Sequence, residues 1–308
     1  MCLSTPTPSP PRSACEPNVQ LRVRVPATVA NLGPGFDCLA LALDLANEFV
    51  IDTEAEPGVE VAGEGHGELP EDGTNLVFRS ITYLAGELGG GLPAFRLSCT
   101  NGIPVQRGLG SSASAVVGGI LLADRLLGAD LSPERLLEVA VDLEGHPDNV
   151  AACLYGGLAL VYLSVAGWRA EALDPSPALR PVVLIPEAER LPTEDARRVL
   201  PRSLPFADAA FNAGRSALAV LALTTRPELL AEALEDRLHQ SYRLPLIPGA
   251  RALFEDLRGR GFAVCLAGSG PSLMAFEQDG RTVQDLGPGW RVLRPRIDRR
   301  GATVGGKE

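Results

Sequence analysis

Residues 104–114 read Pro-Val-Gln-Arg-Gly-Leu-Gly-Ser-Ser-Ala-Ser, and this stretch decides the fold. Gly108 and Gly110 allow backbone angles that other residues avoid, and neither places a Cβ in the way of a ligand. Small and apolar residues from Ser111 to about Ala129 predict a helix directly after the glycine turn. Free N–H groups and the positive end of the helix dipole would then meet at one point, which suits a phosphate.

The same glycine turn has a plainer interpretation, in which a serine simply caps the helix that follows. It is not a Walker A loop, because no Gly-Lys-Ser/Thr follows, and its glycine spacing differs from that of a dinucleotide-binding fingerprint. A phosphate site at this turn therefore needs support from other parts of the chain.

Two other segments give that support. Residues 26–37 read Pro-Ala-Thr-Val-Ala-Asn-Leu-Gly-Pro-Gly-Phe-Asp, and residues 268–272 read Gly-Ser-Gly-Pro-Ser. In this order around the central loop, the three segments resemble the GHMP kinases, named for their galactose, homoserine, mevalonate and phosphomevalonate members. The first of them, together with Glu-Gly-His-Pro-Asp-Asn at 144–149, is similar to homoserine kinases in particular. The resemblance extends from about Val23 to about Arg296.

The resemblance implies an α+β protein with the two-domain GHMP kinase fold. The N-terminal domain would be like the second domain of ribosomal protein S5, and the C-terminal domain would be ferredoxin-like. We expect a disordered tail over residues 1–18, an ATP-binding domain over 19–172, a C-terminal domain over 173–300 and a flexible tail over 301–308. Strand and helix patterns are mixed in both halves, which suggests two α+β domains.

Apolar spacing predicts the individual elements. The predicted strands span residues 21–25, 39–45, 49–52, 95–99, 158–163, 182–185, 263–267, 273–276 and 291–297. The predicted helices span residues 75–88, 111–129, 133–144, 149–155, 193–200, 207–224, 227–236 and 247–259. Ser132 followed by Pro133 marks one helix start clearly, because serine suits the N-cap and proline suits the first helical position.

The composition is that of a globular protein and excludes several classes of function. Of its 308 residues, 45% are hydrophobic and 21% are charged, and the formal charge of −10 argues against binding to nucleic acid or a membrane surface. No apolar run reaches about 18 residues, so no transmembrane helix is expected. Six cysteines without a Cys-x-x-Cys pair predict neither a metal site nor a disulfide framework, and we expect a cytoplasmic location.

For the nucleotide, the resemblance implies ATP as co-substrate and Mg²⁺ as its metal. The expected ATP-binding residues are Asn75, Pro104, Val105, Gln106, Arg107, Gly108, Leu109, Gly110, Ser111, Ser112, Ala113 and Ser114. Ser112 and Glu144 are implied as ligands of Mg²⁺, a hard cation that prefers oxygen. Asn75 has an alternative role as a helix N-cap, and Glu144 could be a solvated acid, although a helix C-terminus disfavours one.

The acceptor side decides which kinase this is. An amino-acid alcohol has an ammonium that needs side-chain oxygens and a carboxylate that needs an arginine fork. The resemblance implies substrate contacts from Asn31, Asp37, His146, Asn149, Thr193, Arg197 and Arg243, with Asn31, Asn149 and Arg197 as catalytic residues. Thr193 and Arg197 are four residues apart on a predicted helix and so share one face. Asn31 and Asp37 have an alternative, local role in their own turn.

No residue is assigned as general base. Some GHMP kinases use an aspartate for this step, whereas homoserine kinases lack one at the usual place. Asp148 is close to the expected substrate residues in sequence, but sequence alone does not bring it to the hydroxyl. The transfer would then depend on positioning and on stabilisation of charge, with a phosphate oxygen as proton acceptor.

These expectations together predict ATP-dependent phosphorylation of the side-chain hydroxyl of L-homoserine to O-phospho-L-homoserine, on the route to threonine. L-Homoserine would be the partner, a homodimer is left open, and neither nucleic acid nor a membrane is expected. One alternative is another GHMP kinase, which acts on mevalonate or an isoprenoid intermediate. A second is a ligand-sensing relative without activity, against which the complete phosphate loop weighs. A third, an RNA-associated domain, conflicts with the acidic charge.

Overall fold

The computed structural model describes residues 19–278, 280–284 and 286–306. The disordered tail predicted over 1–18 lies outside the described residues. Within those residues, no helix has both the length and the apolar composition needed to cross a bilayer. The chain forms two sheets with helices packed against them, which is the α+β class predicted from the sequence.

The elements follow one another in mixed order. The strands are β1 (Gln20–Asn31), β2 (Gly35–Asp52), β3 (Gly58–Gly63), β4 (Arg96–Asn101), β5 (Leu158–Ser164), β6 (Gly167–Leu173), β7 (Pro181–Pro186), β8 (Ala263–Leu266), β9 (Leu273–Phe276), β10 (Trp290–Leu293) and β11 (Thr303–Gly306). The helices are α1 (Leu76–Glu87), α2 (Ser111–Leu127), α3 (Pro133–Glu144), α4 (Pro147–Tyr155), α5 (Thr193–Arg198), α6 (Phe206–Thr224), α7 (Leu230–Ala233), α8 (Gln240–Arg243) and α9 (Pro248–Gly259). Short 3₁₀ turns lie at Pro227–Leu229 and Leu244–Leu246.

The larger sheet has the strand order β11-β1-β2-β4-β3, and the hairpin β5–β6 joins it through the first half of β2. Most pairs are antiparallel, but β3 runs parallel to β4. Helices α1 to α4 cover one face of this sheet. The close approach depends on glycine: a Cβ on Gly118 of α2 would lie 2.2 Å from the Phe49 ring.

Strand β2 is continuous, although the sequence predicted two strands broken near Ala46. The strand stays paired because its register against β1 shifts between Pro26 and Ala27. Because of this shift, the odd-numbered side chains of β1 point to one face of the sheet before Pro26 and to the opposite face after it. Val25 packs on the helix side, whereas Val29, at the same parity, packs into the core shared with the second half of the chain.

The smaller sheet has the order β10-β7-β9-β8, with every pair antiparallel. This order places β9 between β7 and β8, and β7 between β9 and β10, which is the split βαβ arrangement expected of a ferredoxin-like domain. Strand β7 alternates strictly: Val183 and Ile185 face the shared core, while Val182 and Leu184 face α9 and its neighbours.

The C-terminal residues differ from the prediction. A flexible tail was expected over residues 301–308, but Thr303–Gly306 forms β11 and pairs with β1 in the larger sheet. Residues 307 and 308 lie outside the described part of the chain. Asp298 also lies against the first half of the chain, where its carboxylate forms an ion pair with Arg24. Sequence patterns also missed β3, β6 and α8.

Candidate active site

A cleft of about 310 Å³ is lined by residues from both halves of the chain. Its walls come from the turn between β1 and β2, the start of α2, the junction of α3 and α4, helices α5 and α8, and the turn that precedes β9. The three sequence segments that carried the family resemblance therefore meet at one place.

Most of the predicted site residues line this cleft. They are Asn31, Asp37, Asn75, Val105, Gln106, Arg107, Gly108, Leu109, Gly110, Ser111, Ser112, Glu144, His146, Asn149, Thr193, Arg197 and Arg243. Pro104, Ala113 and Ser114 do not line it, and all three are buried, so their contact with ATP stays a prediction. A helix turns by about 100° per residue. Ser111 and Ser112 therefore face the cleft, while the next two residues face the core.

The glycine loop leaves no room for side chains at its two glycines. Gly108 and Gly110 both have φ of +71°, in the left-handed region, as does Gln106 just before them at +55°. A Cβ on Gly108 would lie 2.1 Å from the carbonyl oxygen of Ala267, and one on Gly110 would lie 2.0 Å from Thr28 Oγ1. Gly110 caps α2 without a side-chain hydrogen bond, and the first turn has no acidic residue. The start of α2 is therefore suited to an anion.

Ser112 and Glu144 lie together at the cleft wall. Ser112 Oγ donates a 2.6 Å hydrogen bond to Glu144 Oε2. Burial raises the pKa of the Glu144 carboxyl to about 7, and the hydrogen bond from Ser112 opposes that rise in part. Within the described residues, no group of three His, Cys, Asp or Glu side chains could hold a metal alone. Mg²⁺ bound to a nucleotide commonly takes one or two protein ligands plus phosphate oxygens, so this pair fits it.

The opposite end of the cleft is more apolar, with Leu69, Leu76, Val77 and Phe49 among its lining residues. Asn75 lies here, and both polar atoms of its side chain form hydrogen bonds within the protein. Its Oδ1 accepts from the backbone N–H of Val77 at 3.0 Å, and its Nδ2 donates to the Pro70 carbonyl at 2.8 Å. The structure thus bears out the alternative role of Asn75 as the N-cap of α1, and its contact with the adenine stays a prediction.

Arg107 brings positive charge to the cleft next to the glycine loop. Its Nη2 donates to the Glu187 carbonyl at 3.0 Å, and its Nη1 is buried without a hydrogen-bond partner. A buried donor without a partner is costly, so a bound anionic group would relieve it. Arg107 thus places a guanidinium beside the glycine loop.

Asp37 and Arg197 form a two-bond ion pair in the cleft. Arg197 Nη2 lies 2.6 Å from Asp37 Oδ1, and Nη1 lies 3.2 Å from Oδ2. The Nε of Arg197 is buried without a partner. Phe36 contacts two cations, with the guanidinium carbons of Arg197 and Arg243 at 5.4 and 5.3 Å from its ring centre.

Arg243 is held by backbone and by a histidine. Its Nε donates to the Ala196 carbonyl at 3.1 Å, and its Nη1 lies 3.2 Å from both the Gly268 carbonyl and His239 Nδ1. Burial lowers the pKa of His239 to about 4, and its Nε2 lies 2.8 Å from the Gly33 carbonyl. His239 is therefore neutral, with Nε2 as the donor and Nδ1 as the acceptor that orients Arg243.

Asn31 has φ of +70° and a buried side chain that closes the turn. Its Nδ2 donates to the Gly268 carbonyl at 2.9 Å, and its Oδ1 accepts from the backbone N–H of Asp37 at 3.1 Å. Asn31 therefore has the local role in its own turn that the sequence suggested. Its side chain also joins the β1–β2 turn to the 268–272 turn. Thr193 lies at the same turn, 3.5 Å from Ser269 Oγ.

The segment 146–149 contributes three side chains. His146 is half-buried, and burial together with the charge of Arg197 lowers its pKa. Asp148 was left without a role, yet it lines the cleft and is fully buried. Burial raises its pKa to about 7, and the nearby charge of Asp37 adds to the rise. Asn149 lines the cleft beside it and lies next to the glycine loop.

Comparisons with known proteins agree with this geometry. A profile of the family described as "GHMP kinases N terminal domain" matches residues 75–157. The chain is 46% identical over 292 residues to a homoserine kinase of Streptomyces avermitilis, which covers 92% of this chain and 95% of that protein. It is 47% identical over 293 residues to a homoserine kinase of Streptomyces coelicolor, covering 92% and 94%.

The fold is similar to that of a solved protein as well. A crystal structure of homoserine kinase from Cytophaga hutchinsonii superimposes with a TM-score of 0.80 at 29% identity, and the match covers 92% of this chain and 97% of that one. Sequence, fold and the convergence of the three motif segments thus lead to the same assignment. The chain belongs to the homoserine kinase family, within the GHMP kinases.

Proposed function

We propose that this protein transfers the γ-phosphoryl group of ATP to the side-chain hydroxyl of L-homoserine and releases O-phospho-L-homoserine and ADP. The observation that carries the proposal is the cleft itself. The cleft joins a glycine loop suited to an anion to a group of Asp37, Arg197 and Arg243 that is suited to a zwitterion. The names of the curated relatives support the same substrate.

On the nucleotide side, the phosphates lie against the start of α2. Gly108 and Gly110 allow close approach of the backbone, and Arg107 Nη1 is a buried donor in need of an acceptor. Mg²⁺, when bound, would neutralise charge on the phosphates. Ser112 and Glu144 would hold it, since their oxygens are 2.6 Å apart and share a proton that a cation can replace.

On the acceptor side, Asp37 receives the ammonium and Arg197 and Arg243 receive the carboxylate. The buried and unpartnered Nε of Arg197 supports this assignment. Mevalonate has a carboxylate but no ammonium, so it would compete with Asp37 for Arg197 and bring no cation to Asp37 in exchange. The charges in the cleft therefore favour an amino acid over the other GHMP kinase substrates.

The transfer itself depends on alignment and on charge stabilisation. Asn149 lies where the nucleotide side meets the acceptor side, and it contacts the acceptor hydroxyl and the moving phosphoryl group. The hydroxyl oxygen attacks the γ-phosphorus, the bond to the bridging oxygen breaks, and a phosphate oxygen takes the hydroxyl proton. Cytoplasmic location and a homodimer stay predictions from the sequence.

The test is ATP consumption by the purified protein with Mg²⁺ and L-homoserine, D-homoserine, L-serine, L-threonine or mevalonate. We expect L-homoserine to give the highest kcat/KM. Ser112→Ala and Glu144→Ala should each abolish most of the turnover. Asp142→Ala is the matched control, because Asp142 is an exposed carboxylate on the same helix as Glu144 and does not line the cleft.

Turnover led by mevalonate would contradict the assignment of the acceptor side and retain only the superfamily. ATP binding without turnover of any acceptor would favour the ligand-sensing alternative.

A further inference from the structure

Thr28 occupies the point where β1, the glycine loop and α4 meet. It was not among the predicted site residues, and it is completely buried. Its backbone N–H donates to the Leu109 carbonyl at 3.1 Å. Its hydroxyl donates to Oδ1 of Asn149 at 2.7 Å. One residue of the strand therefore contacts both the phosphate loop and an amide that lines the cleft.

The orientation of the Asn149 amide follows from its neighbours. Asp148 Oδ1 accepts a 2.7 Å hydrogen bond from the backbone N–H of Asn149, so this oxygen is an acceptor whatever the protonation of the other one. The amide nitrogen Nδ2 of Asn149 lies 3.4 Å from the same oxygen. Because an acceptor must face the NH₂ end of an amide, Oδ1 faces Thr28, and the threonine hydroxyl is the donor.

The glycine loop leaves this arrangement no freedom. A Cβ placed on Gly110 would lie 2.0 Å from Thr28 Oγ1 and 3.3 Å from Asn149 Oδ1. The hydroxyl and the amide oxygen therefore lie directly against the residue that caps α2. The NH₂ group of Asn149 is the other end of the amide, and it lies beside Asp148, which also lines the cleft.

We propose that Thr28 is a positioning residue for the phosphoryl transfer, because its hydroxyl holds the Asn149 carboxamide with the NH₂ group toward the cleft. The inference rests on the proposed function, in which Asn149 contacts the hydroxyl and the phosphoryl group. Without the threonine hydroxyl, the amide oxygen loses its donor, and the 3.4 Å contact of Nδ2 with Asp148 Oδ1 holds the amide less firmly. An oxygen turned toward the cleft would repel the phosphate instead of binding it.

The experiment compares Thr28→Val with Thr28→Ser in the full chain, with kcat and both KM values measured at saturating Mg²⁺. Valine keeps the shape and removes the hydroxyl, whereas serine keeps the hydroxyl and removes a methyl group. We expect Thr28→Val to lower kcat by roughly 10- to 100-fold, the range for a misplaced reacting group. The KM for ATP should change by less than about threefold, because the backbone contact to Leu109 remains. Thr28→Ser should retain most of the wild-type kcat.

Three further variants complete the design. Thr224→Val removes a threonine hydroxyl from α6, where it donates to a helix carbonyl away from the cleft, and should leave kcat unchanged. Asn149→Ala should lower kcat at least as much as Thr28→Val does. The double variant Thr28→Val/Asn149→Ala should be no slower than Asn149→Ala alone, since the hydroxyl acts through the amide.

The outcomes separate the inference from the proposed function. A normal kcat in Asn149→Ala would contradict the role of Asn149 in the proposed function. A slow Asn149→Ala together with a normal Thr28→Val would overturn the positioning role alone. So would equal losses in Thr28→Ser and Thr28→Val, additive losses in the double variant, or a Thr28→Val defect confined to the KM for ATP.

Discussion

Arg197 and Asp37 form a two-bond ion pair that links α5 to the first residues of β2, with Nη2 to Oδ1 at 2.6 Å and Nη1 to Oδ2 at 3.2 Å. Each residue thus neutralises the other in the cleft before any ligand is present. A zwitterion that enters must exchange this one ion pair for two, with its ammonium at Asp37 and its carboxylate at Arg197. The cleft is in this way arranged for a ligand that carries both charges at once.

Asp37→Asn should therefore impair the acceptor side selectively. The substitution keeps the shape of the side chain but removes the charge that binds the ammonium, and it leaves Arg197 without its counter-ion. Because charged hydrogen bonds contribute about 1.5–3 kcal/mol, kcat/KM for L-homoserine should fall by roughly 10- to 100-fold. Steady-state kinetics with each substrate varied in turn would measure this, and the KM for ATP should change little.

Glu194→Gln is the control for this substitution, because Glu194 is an exposed carboxylate in the first turn of α5 that pairs with Arg198 and does not line the cleft. It should leave both KM values unchanged. A rise of the KM for ATP in Asp37→Asn as large as the loss for L-homoserine would count against the assignment of Asp37.

The Mg²⁺ requirement should depend on pH. Burial raises the pKa of Glu144 to about 7, so below that pH a proton occupies the carboxylate that we assign to the metal. The free Mg²⁺ needed for half-maximal activity should rise as the pH falls from 8 to 6. A Mg²⁺ titration at fixed Mg·ATP would measure it. An identical requirement at both pH values would contradict this competition between the proton and Mg²⁺ at Glu144.

Asp148→Asn should stabilise the ligand-free protein at alkaline pH. Burial raises the pKa of Asp148 from 3.8 to about 7, so between these values the folded state binds more protons than the unfolded state. The contribution of this group to the free energy of unfolding therefore decreases as the pH rises through that window. Asparagine keeps the acceptor for the Asn149 N–H and removes the buried charge.

The melting temperature measured by calorimetry should thus be higher for Asp148→Asn than for the wild type at pH 8, with a smaller difference at pH 5. Asp142→Asn, on an exposed site nearby, should show no such dependence. A difference that is the same at both pH values would mean that the carboxyl of Asp148 is not the cause.

Gly110→Ala should abolish activity through steric conflict at the phosphate loop. Its Cβ would lie 2.0 Å from Thr28 Oγ1, and its φ of +71° is unfavourable for alanine. Gly128→Ala separates the two effects, because Gly128 has φ of +58° at the other end of α2, where an added Cβ would meet nothing within 4 Å. It should cost about 1 kcal/mol of stability by denaturant unfolding and retain activity. Equal loss of activity in both variants would show that the conflict at Gly110 is unimportant.

Local patterns predicted most of the elements, because apolar spacing and caps are properties of neighbouring residues. Ser132 accepts from the N–H of Arg135 and starts α3 as expected. The elements that were missed depend on distant partners. Strand β11 forms by pairing with the free edge of β1, and β6 forms by pairing with β5. The break predicted in β2 was wrong because a register shift against β1 absorbs it.

The candidate site shows the same division. Motif resemblance brought Asn31, Asp37 and Arg197 to one cleft, but it did not predict that the last two would pair with each other, since 160 residues separate them. It also treated residues 104–114 as one binding surface, although some residues at the start of a helix point toward the cleft and the next ones point toward the core. Thr28 was missed altogether, because its role is defined only by Asn149, which is 121 residues further along the chain.

The pairing of β11 with β1 has a consequence for biosynthesis. On the ribosome, β1 and β2 are made early, yet the outer edge of β1 has no partner until residues 303–306 have emerged. Unprotected strand edges invite association with other chains. A nascent chain that stalls before that point would have a nearly complete kinase domain with an exposed, unpaired edge on β1. A chaperone or a neighbouring polypeptide could then bind to that edge.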